Sequence, residues 1–185
     1  APPDGPVFLI LADVAAQHNV PITLHMEPVP QDMALPSNLK SPPNPPRLKA
    51  NIPALERLLA HNTQAKIVWA HAGSTDNYGT RTPELCRRLL AAHPNLYMEI
   101  KVEPVNLGKN PLIAADGKLK PEWLKLFQDY SNQFIIGTDQ NYPPPQQSET
   151  QRWQAVVLLF NQLPADLRQK LGIDNPTRVF FSKKS

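Results

Sequence analysis

The sequence predicts an α/β architecture in which about four parallel strands alternate with helices, and three observations carry that expectation. An amphipathic helix, a short turn and an apolar strand recur four times: VFLILADVAAQHN then VPITLHM, IPALERLLAHNTQ then AKIVWAH, TPELCRRLLAAHP then NLYMEIKV, and PEWLKLFQDYSN then QFIIGTD. The strands are near-continuous apolar runs, as expected where helices cover the sheet, and strict alternation of helix and strand points to parallel pairing through crossovers. At 185 residues, 41% of them hydrophobic, the chain can bury a core as a single domain over 1–185, yet it is shorter than the roughly 250 residues of a complete eight-unit barrel. An open doubly wound sheet satisfies this count of elements, and so does half of a closed barrel.

Taken in order, the chain opens on a Pro-rich turn, APPDGP, and enters its first helix, which leads to a strand near 20–26. Proline is abundant, 22 in 185, and many fall in two stretches, 27–53 and 140–147, where neither a helix nor a central strand can persist. Because segment 27–50 leaves the first strand, it is expected to project over the mouth that this strand faces. The next helix carries Leu55, Leu58 and Leu59 at helical spacing and leads to a strand near 66–71; its successor carries Leu85, Leu89 and Leu90 and leads to a strand near 95–102. A fourth strand is expected near 133–139 and a further helix at 148–163. NPTRVFF then offers Asn175 as N-cap and Pro176 as first residue of a short terminal helix.

Several function classes are disfavoured by composition. The charge balance, Lys+Arg 19 against Asp+Glu 16, is spread over scattered positions such as Arg47, Lys49, Arg87 and Arg88, without the basic stripe of a nucleic-acid-binding surface. The longest apolar run, VFLILA, falls well short of the roughly 20 residues of a membrane helix. Cys86, the single cysteine, rules out an internal disulfide or a multi-cysteine zinc site and reads as a helix packing residue. The compartment stays open between cytoplasm and periplasm.

The histidines divide into two groups. His18, His61 and His93 stand near helix C-termini, where the dipole and free carbonyls favour them for structural reasons. His25 and His71 instead close apolar strands, in PITLH and IVWAH, and Asp139 closes another in FIIGTD. Side chains at the C-terminal ends of parallel strands converge on the mouth where barrels and open α/β sheets hold their chemistry. Two imidazoles and one carboxylate form an N/N/O set that suits Zn²⁺ or a similar divalent ion and leaves room for water. Glu99 and Lys101 share one face of their strand by alternation, with Glu99 either a substrate-side group or a salt-bridged strand residue.

The elements VPITLH (20–25), WAHAGS (69–74), IIGTD (135–139) and NPTRVF (175–180), in this order, resemble the C-terminal half of the amidohydrolase-related, metal-dependent hydrolase barrels, over nearly the whole chain. The resemblance implies the C-terminal part of a TIM-type (β/α)8 barrel. It implies His25 as a metal ligand, His71 as a ligand of a second metal or a group acting on substrate, and Asp139 as a ligand that takes a proton from bound water. The cofactor implied is a divalent metal, Zn²⁺ first, and the chemistry is attack of activated water on an amide, ester or lactone-like bond of a small molecule. The H-x-H pair that the family carries on its first strand occurs nowhere in this sequence. The expectation is therefore a fragment holding half a site, its open sheet covered by the missing N-terminal barrel segment or by a second copy of the chain. Two other readings stand beside it: a non-catalytic remnant or binding module on the same scaffold, and a metal-dependent lyase such as a decarboxylase or hydratase.

Overall fold

The computed structural model describes residues 2–37, 39, 45–74, 79, 81–102, 111–139 and 147–182, with residues 147–151 described by their backbone only. Most of the proline-rich stretch at 140–147, and residues 38 and 40–44 of the first one, lie outside the described residues. The elements in chain order are α1 (Pro6–His18), β1 (Ile22–Leu24), β2 (Met33–Ala34), β3 (Arg47–Leu48), α2 (Ile52–His61), β4 (Ile67–Ala72), α3 (Pro83–Ala92), β5 (Leu96–Ile100), α4 (Pro121–Asp129), β6 (Phe134–Ile136), α5 (Gln147–Gln162) and α6 (Ala165–Gln169). Two π-helical turns, Lys170–Asp174 and Thr177–Phe181, follow α6.

Four strands form one sheet in the order β1-β4-β5-β6, every neighbouring pair parallel, as the repeated helix–strand unit requires. In register, Thr23 lies beside Val68, Val68 beside Tyr97, and Glu99 beside Ile135. Alternation then gives the sheet two faces. Ile67, Trp69, Leu96, Met98, Ile100 and Phe134 point into the main core, packed by Leu55, Leu58 and Leu59 of α2, Leu89 and Leu90 of α3, and Trp123, Leu126 and Phe127 of α4. Full burial of each such side chain is worth about 1.5–3 kcal/mol. On the opposite face Val68 and Ile135, flanked by Tyr97, are covered by Val179 from the last π-helical turn, and Lys66 Nζ donates to the Val179 carbonyl at 2.8 Å.

Local signals set the helix ends. Proline stands in the first turn of α1, α2, α3 and α4, where its missing N–H costs no helical bond. Thr82 Oγ1 caps α3 by accepting from Leu85 N, and Asn19 ends α1 in the left-handed conformation, φ 55°.

A second device recurs at the opposite ends of the strands from the histidine-bearing mouth, where each helix hands over to its strand. Asn95 Nδ2 donates to the carbonyls of Leu59 and Ala65, across the α2–β4 junction. Gln133 Nε2 does the same for His93 and Leu96 at the α3–β5 junction, and Asn175 Nδ2 for Ser131 and Phe134 at the α4–β6 junction. In each case an amide from the next unit takes up the carbonyls that a helix end and a turn would leave without partners. This corrects the expectation for Asn175: its backbone is helical, φ −68° and ψ −48°, and its side chain is a buried staple, not a cap.

Three of the four regular strands, β1, β5 and β6, are also shorter than expected. β1 ends at Leu24 and β6 at Ile136, so His25 and Asp139 stand beyond the paired residues. Proline did not leave segment 27–50 wholly irregular: β2 and β3 pair antiparallel, Met33 with Leu48 and Ala34 with Arg47. The ribbon is tied down by Asn51, which accepts from Val29 N and donates to Glu27 O, and by Asp32, which pairs with Lys49 and accepts from Ala50 N. Between it, the N-terminal Pro2 and Pro3, and the residues that follow His25 lies a cleft of about 430 Å³.

Candidate functional site

The structure brings His25, His71 and Asp139 into one contact chain at the C-terminal end of the sheet. The rings of His25 and His71 meet edge to face with centroids 4.6 Å apart, and His71 Nε2 lies 3.3 Å from Asp139 Oδ1. His25 is exposed, whereas the His71 side chain is only 13% exposed. His61 pairs with Asp13 and His93 lies near Glu56, so these helix-end histidines stand apart from the mouth as expected.

Backbone conformation sets His71 and Asp139 apart. Their φ angles are 67° and 49°, in the left-handed region that costs an L-residue other than Asn or Asp appreciable strain. Such strain persists where surrounding contacts over-determine the backbone, and it clusters at functional positions. At His71 the contacts are visible: its carbonyl accepts from Ser74 N at 3.1 Å, Ser74 Oγ at 2.9 Å and Arg81 Nη1 at 2.6 Å. Gly73 completes the turn, since its φ is 91° and a Cβ there would fall 1.7 Å from Leu112 Cδ1.

Cations surround the Asp139 carboxylate. Lys101 Nζ stands 2.9 Å and Arg152 Nη1 3.2 Å from Oδ2, and Arg152 also donates to the Asp139 carbonyl. Burial alone would raise the Asp139 pKa, but the hydrogen bond and charge of Lys101, with His71 and Arg152, outweigh it and hold the group below the ordinary carboxylate value. For His71 the largest effect is desolvation, which lowers the pKa; Asp139 opposes it, and Lys101, His25 and Arg81 add to it. Desolvation thus favours the neutral imidazole, the form that ligates a metal or accepts a proton.

Glu99 lies on the face of β5 opposite the main core, the face of Tyr97, with its carboxyl against the backbone of Gly137, where a Cβ would meet Oε1 at 1.8 Å. Desolvation raises the Glu99 pKa, as does the nearby Asp139, with Lys101 opposing both.

The spacing of the donors bears on whether they fit a divalent ion. Ligand distances of about 2.0–2.2 Å in a tetrahedral zinc site place neighbouring donors about 3.3 Å apart, and His71 Nε2 and Asp139 Oδ1 have that separation, 3.3 Å. That edge fits. Among the described residues no three His, Cys, Asp or Glu side chains converge on one ion position, and Asp139 Oδ2 is engaged by Lys101 and Arg152.

Arg81 and Arg152 carry no sequence signal that would have drawn attention to them. Arg81 lies in the segment GTRTP, outside any strand, and is 1% exposed; Arg152 belongs to α5, where a charged residue reads as solvated surface. Only the tertiary structure sets them on His71 and Asp139.

A family model described as amidohydrolase matches residues 1–181. No curated protein and no solved structure matches the chain. Among the described residues no helix is long and apolar enough to cross a membrane.

Proposed function

The chain belongs to the amidohydrolase family, and we propose that it carries the C-terminal half of the active site of a metal-dependent hydrolase that cleaves an amide, ester or lactone-like bond in a small molecule. Family membership points to an enzyme with hydrolase or related activity, and the family's fold is a TIM-type barrel, of which a four-stranded parallel sheet alternating with helices is a part. The observation that carries the proposal is the 3.3 Å contact of His71 Nε2 with Asp139 Oδ1, two strand-end donors on left-handed backbone at the mouth.

In this reading His71 and Asp139, whose donors are already spaced for one divalent ion, and His25, whose ring contacts His71 and would have to turn toward that ion, are this chain's share of the ligands, with Zn²⁺ suited to the N/N/O set. Such an ion, when bound, supplies a water of lowered pKa. The protein's own groups do the remainder. His71, kept neutral by desolvation, offers an unprotonated nitrogen; Asp139, kept ionised by its cationic neighbours, accepts the proton of the attacking water at a carboxylate oxygen. Lys101 and Arg152 hold that carboxylate in orientation. The cleft beside Met26 and Glu27 gives substrate an approach next to His25. The remaining strands come from a preceding barrel segment or from a second copy of the chain.

Zinc titration of the metal-free chain, with His25→Ala, His71→Ala and Asp139→Ala, tests the ligand set. Each substitution should weaken binding at least tenfold; zinc held with unchanged affinity by all three would sink the assignment. Turnover of amide, ester and lactone panels by the zinc-loaded protein, with CO2 release followed in parallel, separates hydrolase from lyase. One observation favours a non-catalytic scaffold instead: Asp139 Oδ2 already has two cationic partners, so the carboxylate is satisfied without a metal. Absence of any zinc binding would select that reading; absence of turnover alone would not, since half a site need not turn over by itself.

A further inference from the structure

Arg81 is almost fully buried, 1% exposed, and its guanidinium sits between the two histidine-bearing strand ends. Nη1 donates to the His71 carbonyl at 2.6 Å and to Ser74 Oγ at 3.3 Å, while Nη2 donates to the Met26 carbonyl at 2.8 Å. The same Met26 carbonyl accepts from Trp69 Nε1 at 2.6 Å, and the guanidinium lies over the Trp69 ring, 4.9 Å from its centroid. Met26 directly follows His25. One planar fork therefore bonds at once to the carbonyl of the residue that follows the first histidine and to the carbonyl of the second histidine.

We propose that Arg81 is a positioning residue that fixes His25 and His71 relative to one another by bridging the Met26 and His71 carbonyls and holding residue 71 in its left-handed conformation. The chemistry favours arginine for this. A guanidinium offers donors in a rigid plane that reach two acceptors in different strands and stacks on an aromatic face, whereas a lysine ammonium is a point charge on a flexible stem. Burying a cation is costly, and here the buried cation joins the backbones of two candidate ligands that no regular strand pairing secures: His25 lies beyond β1, and the β4–β5 register breaks between Trp69 and Ala72, where His71 stands. Rotation of the peptide after His71 would swing its imidazole, and a shift of Met26 would carry the adjoining His25 with it, so loss of either anchor would alter the 4.6 Å ring contact.

The inference rests on the reading that His25 and His71 act together, and the test separates the two. Arg81→Lys and Arg81→Met are compared in the whole chain with Phe127→Leu, a core substitution in α4 that loosens the fold away from the mouth. Two quantities are read: the ¹H–¹⁵N imidazole signals of His25 and His71 in metal-free protein, and zinc affinity. Both Arg81 variants should displace both imidazole signals and weaken zinc binding at least tenfold. Lysine should recover thermal stability relative to methionine without recovering either site readout, and Phe127→Leu should lower stability and leave both readouts in place. Imidazole signals that stay put in Arg81→Lys and Arg81→Met, or that move equally in Phe127→Leu, overturn the positioning role. Wild-type protein that binds no zinc overturns the metal reading alone, and the imidazole signals then decide the bridge.

Discussion

Replacing His71 and Asp139 by alanine and by glycine should reveal the backbone strain at the site as a reversal of the usual order of stability. Both residues have positive φ, 67° and 49°, whereas His25 is absent from the described non-glycine residues with positive φ. A left-handed conformation costs an alanine about 1–2 kcal/mol that glycine does not bear. Against this, glycine loses about 0.5–1 kcal/mol relative to alanine through the extra freedom of its unfolded chain. At His71 and Asp139 the first effect wins, so the glycine variant should be the more stable by about 0.5–1 kcal/mol. At His25 only the second operates, and alanine should be the more stable by a similar margin.

Each alanine–glycine pair lacks the same native side chain, so the loss of the His71–Asp139 contact cancels within the pair and only backbone terms remain. For a chain of this length about 1 kcal/mol moves the melting temperature by about 2–4 °C, well within the reach of thermal or urea unfolding. Alanine equal to or more stable than glycine at both 71 and 139 would refute the argument that the mouth stores strain. Wild type need not be the least stable form, because His71 retains its contact with Asp139 and Asp tolerates left-handed backbone better than alanine does.

Gly137→Ala places a Cβ 1.8 Å from Glu99 Oε1 and should cost about 1–3 kcal/mol; Glu99→Ala in the same chain should restore most of it, and a neutral single variant would refute the packing of Glu99 on that glycine. Asn175→Ala removes a buried amide from the Ser131 and Phe134 carbonyls and should cost about 2–3 kcal/mol in urea unfolding, whereas the same change at an ordinary helix N-cap costs about 1 kcal/mol. Stability should fall on acidification. The folded pKa of His71 is lowered, so its contribution is complete above the ordinary histidine value of 6.5 and is lost as pH falls from there through the folded value. Asp139, also lowered, adds a second loss as pH falls through its own folded value; Glu99, raised by burial, acts with the opposite sign. His71→Ala should remove the first loss, as read from urea midpoints across pH, and an unchanged profile would refute it. Among the described residues the outer edges of β1 and β6 have no strand beside them in the sheet, and large apolar side chains are exposed on α1 (Val7, Ile10, Leu11 and Val14) and in the C-terminal helices (Trp153, Val157 and Ile173). The chain alone should therefore run above monomer mass in light scattering, and Ile10→Lys with Val14→Lys should reduce that association; a monodisperse monomer would refute it.

The parallel sheet was legible because hydrophobic pattern and element order are local. Near-continuous apolar runs such as IVWAH can be covered only by helices, and helices of the right length lie between them. His25, His71 and Asp139 were legible for a related reason, since position relative to a strand end decides where a side chain opens. The amide staples were not. Asn95, Gln133 and Asn175 look like ordinary turn or cap residues, and their partners lie 30 or more positions away. Only the stacking of one helix–strand unit on the next brings donor and carbonyl together.

Arg81 shows the same limit at the mouth. Its local neighbours, Thr82 as a cap and Pro83 in the first helical turn, account for α3 without it, and nothing in the hydrophobic pattern asks for a cation there. The need arises from geometry that the pattern does not encode. The ladder between β4 and β5 is regular at Ile67, Val68 and Trp69 and resumes at Ala72, so His71 falls in an interruption of the register. That interruption turns the His71 side chain toward Asp139 and leaves its carbonyl without a place in the ladder. The orphaned carbonyl then takes Ser74 and Arg81 as donors, and the second arm of Arg81 reaches the carbonyl of Met26, the residue after His25. A break that would weaken an ordinary strand thus connects the two histidines, and its cost appears as the positive φ that glycine would relieve.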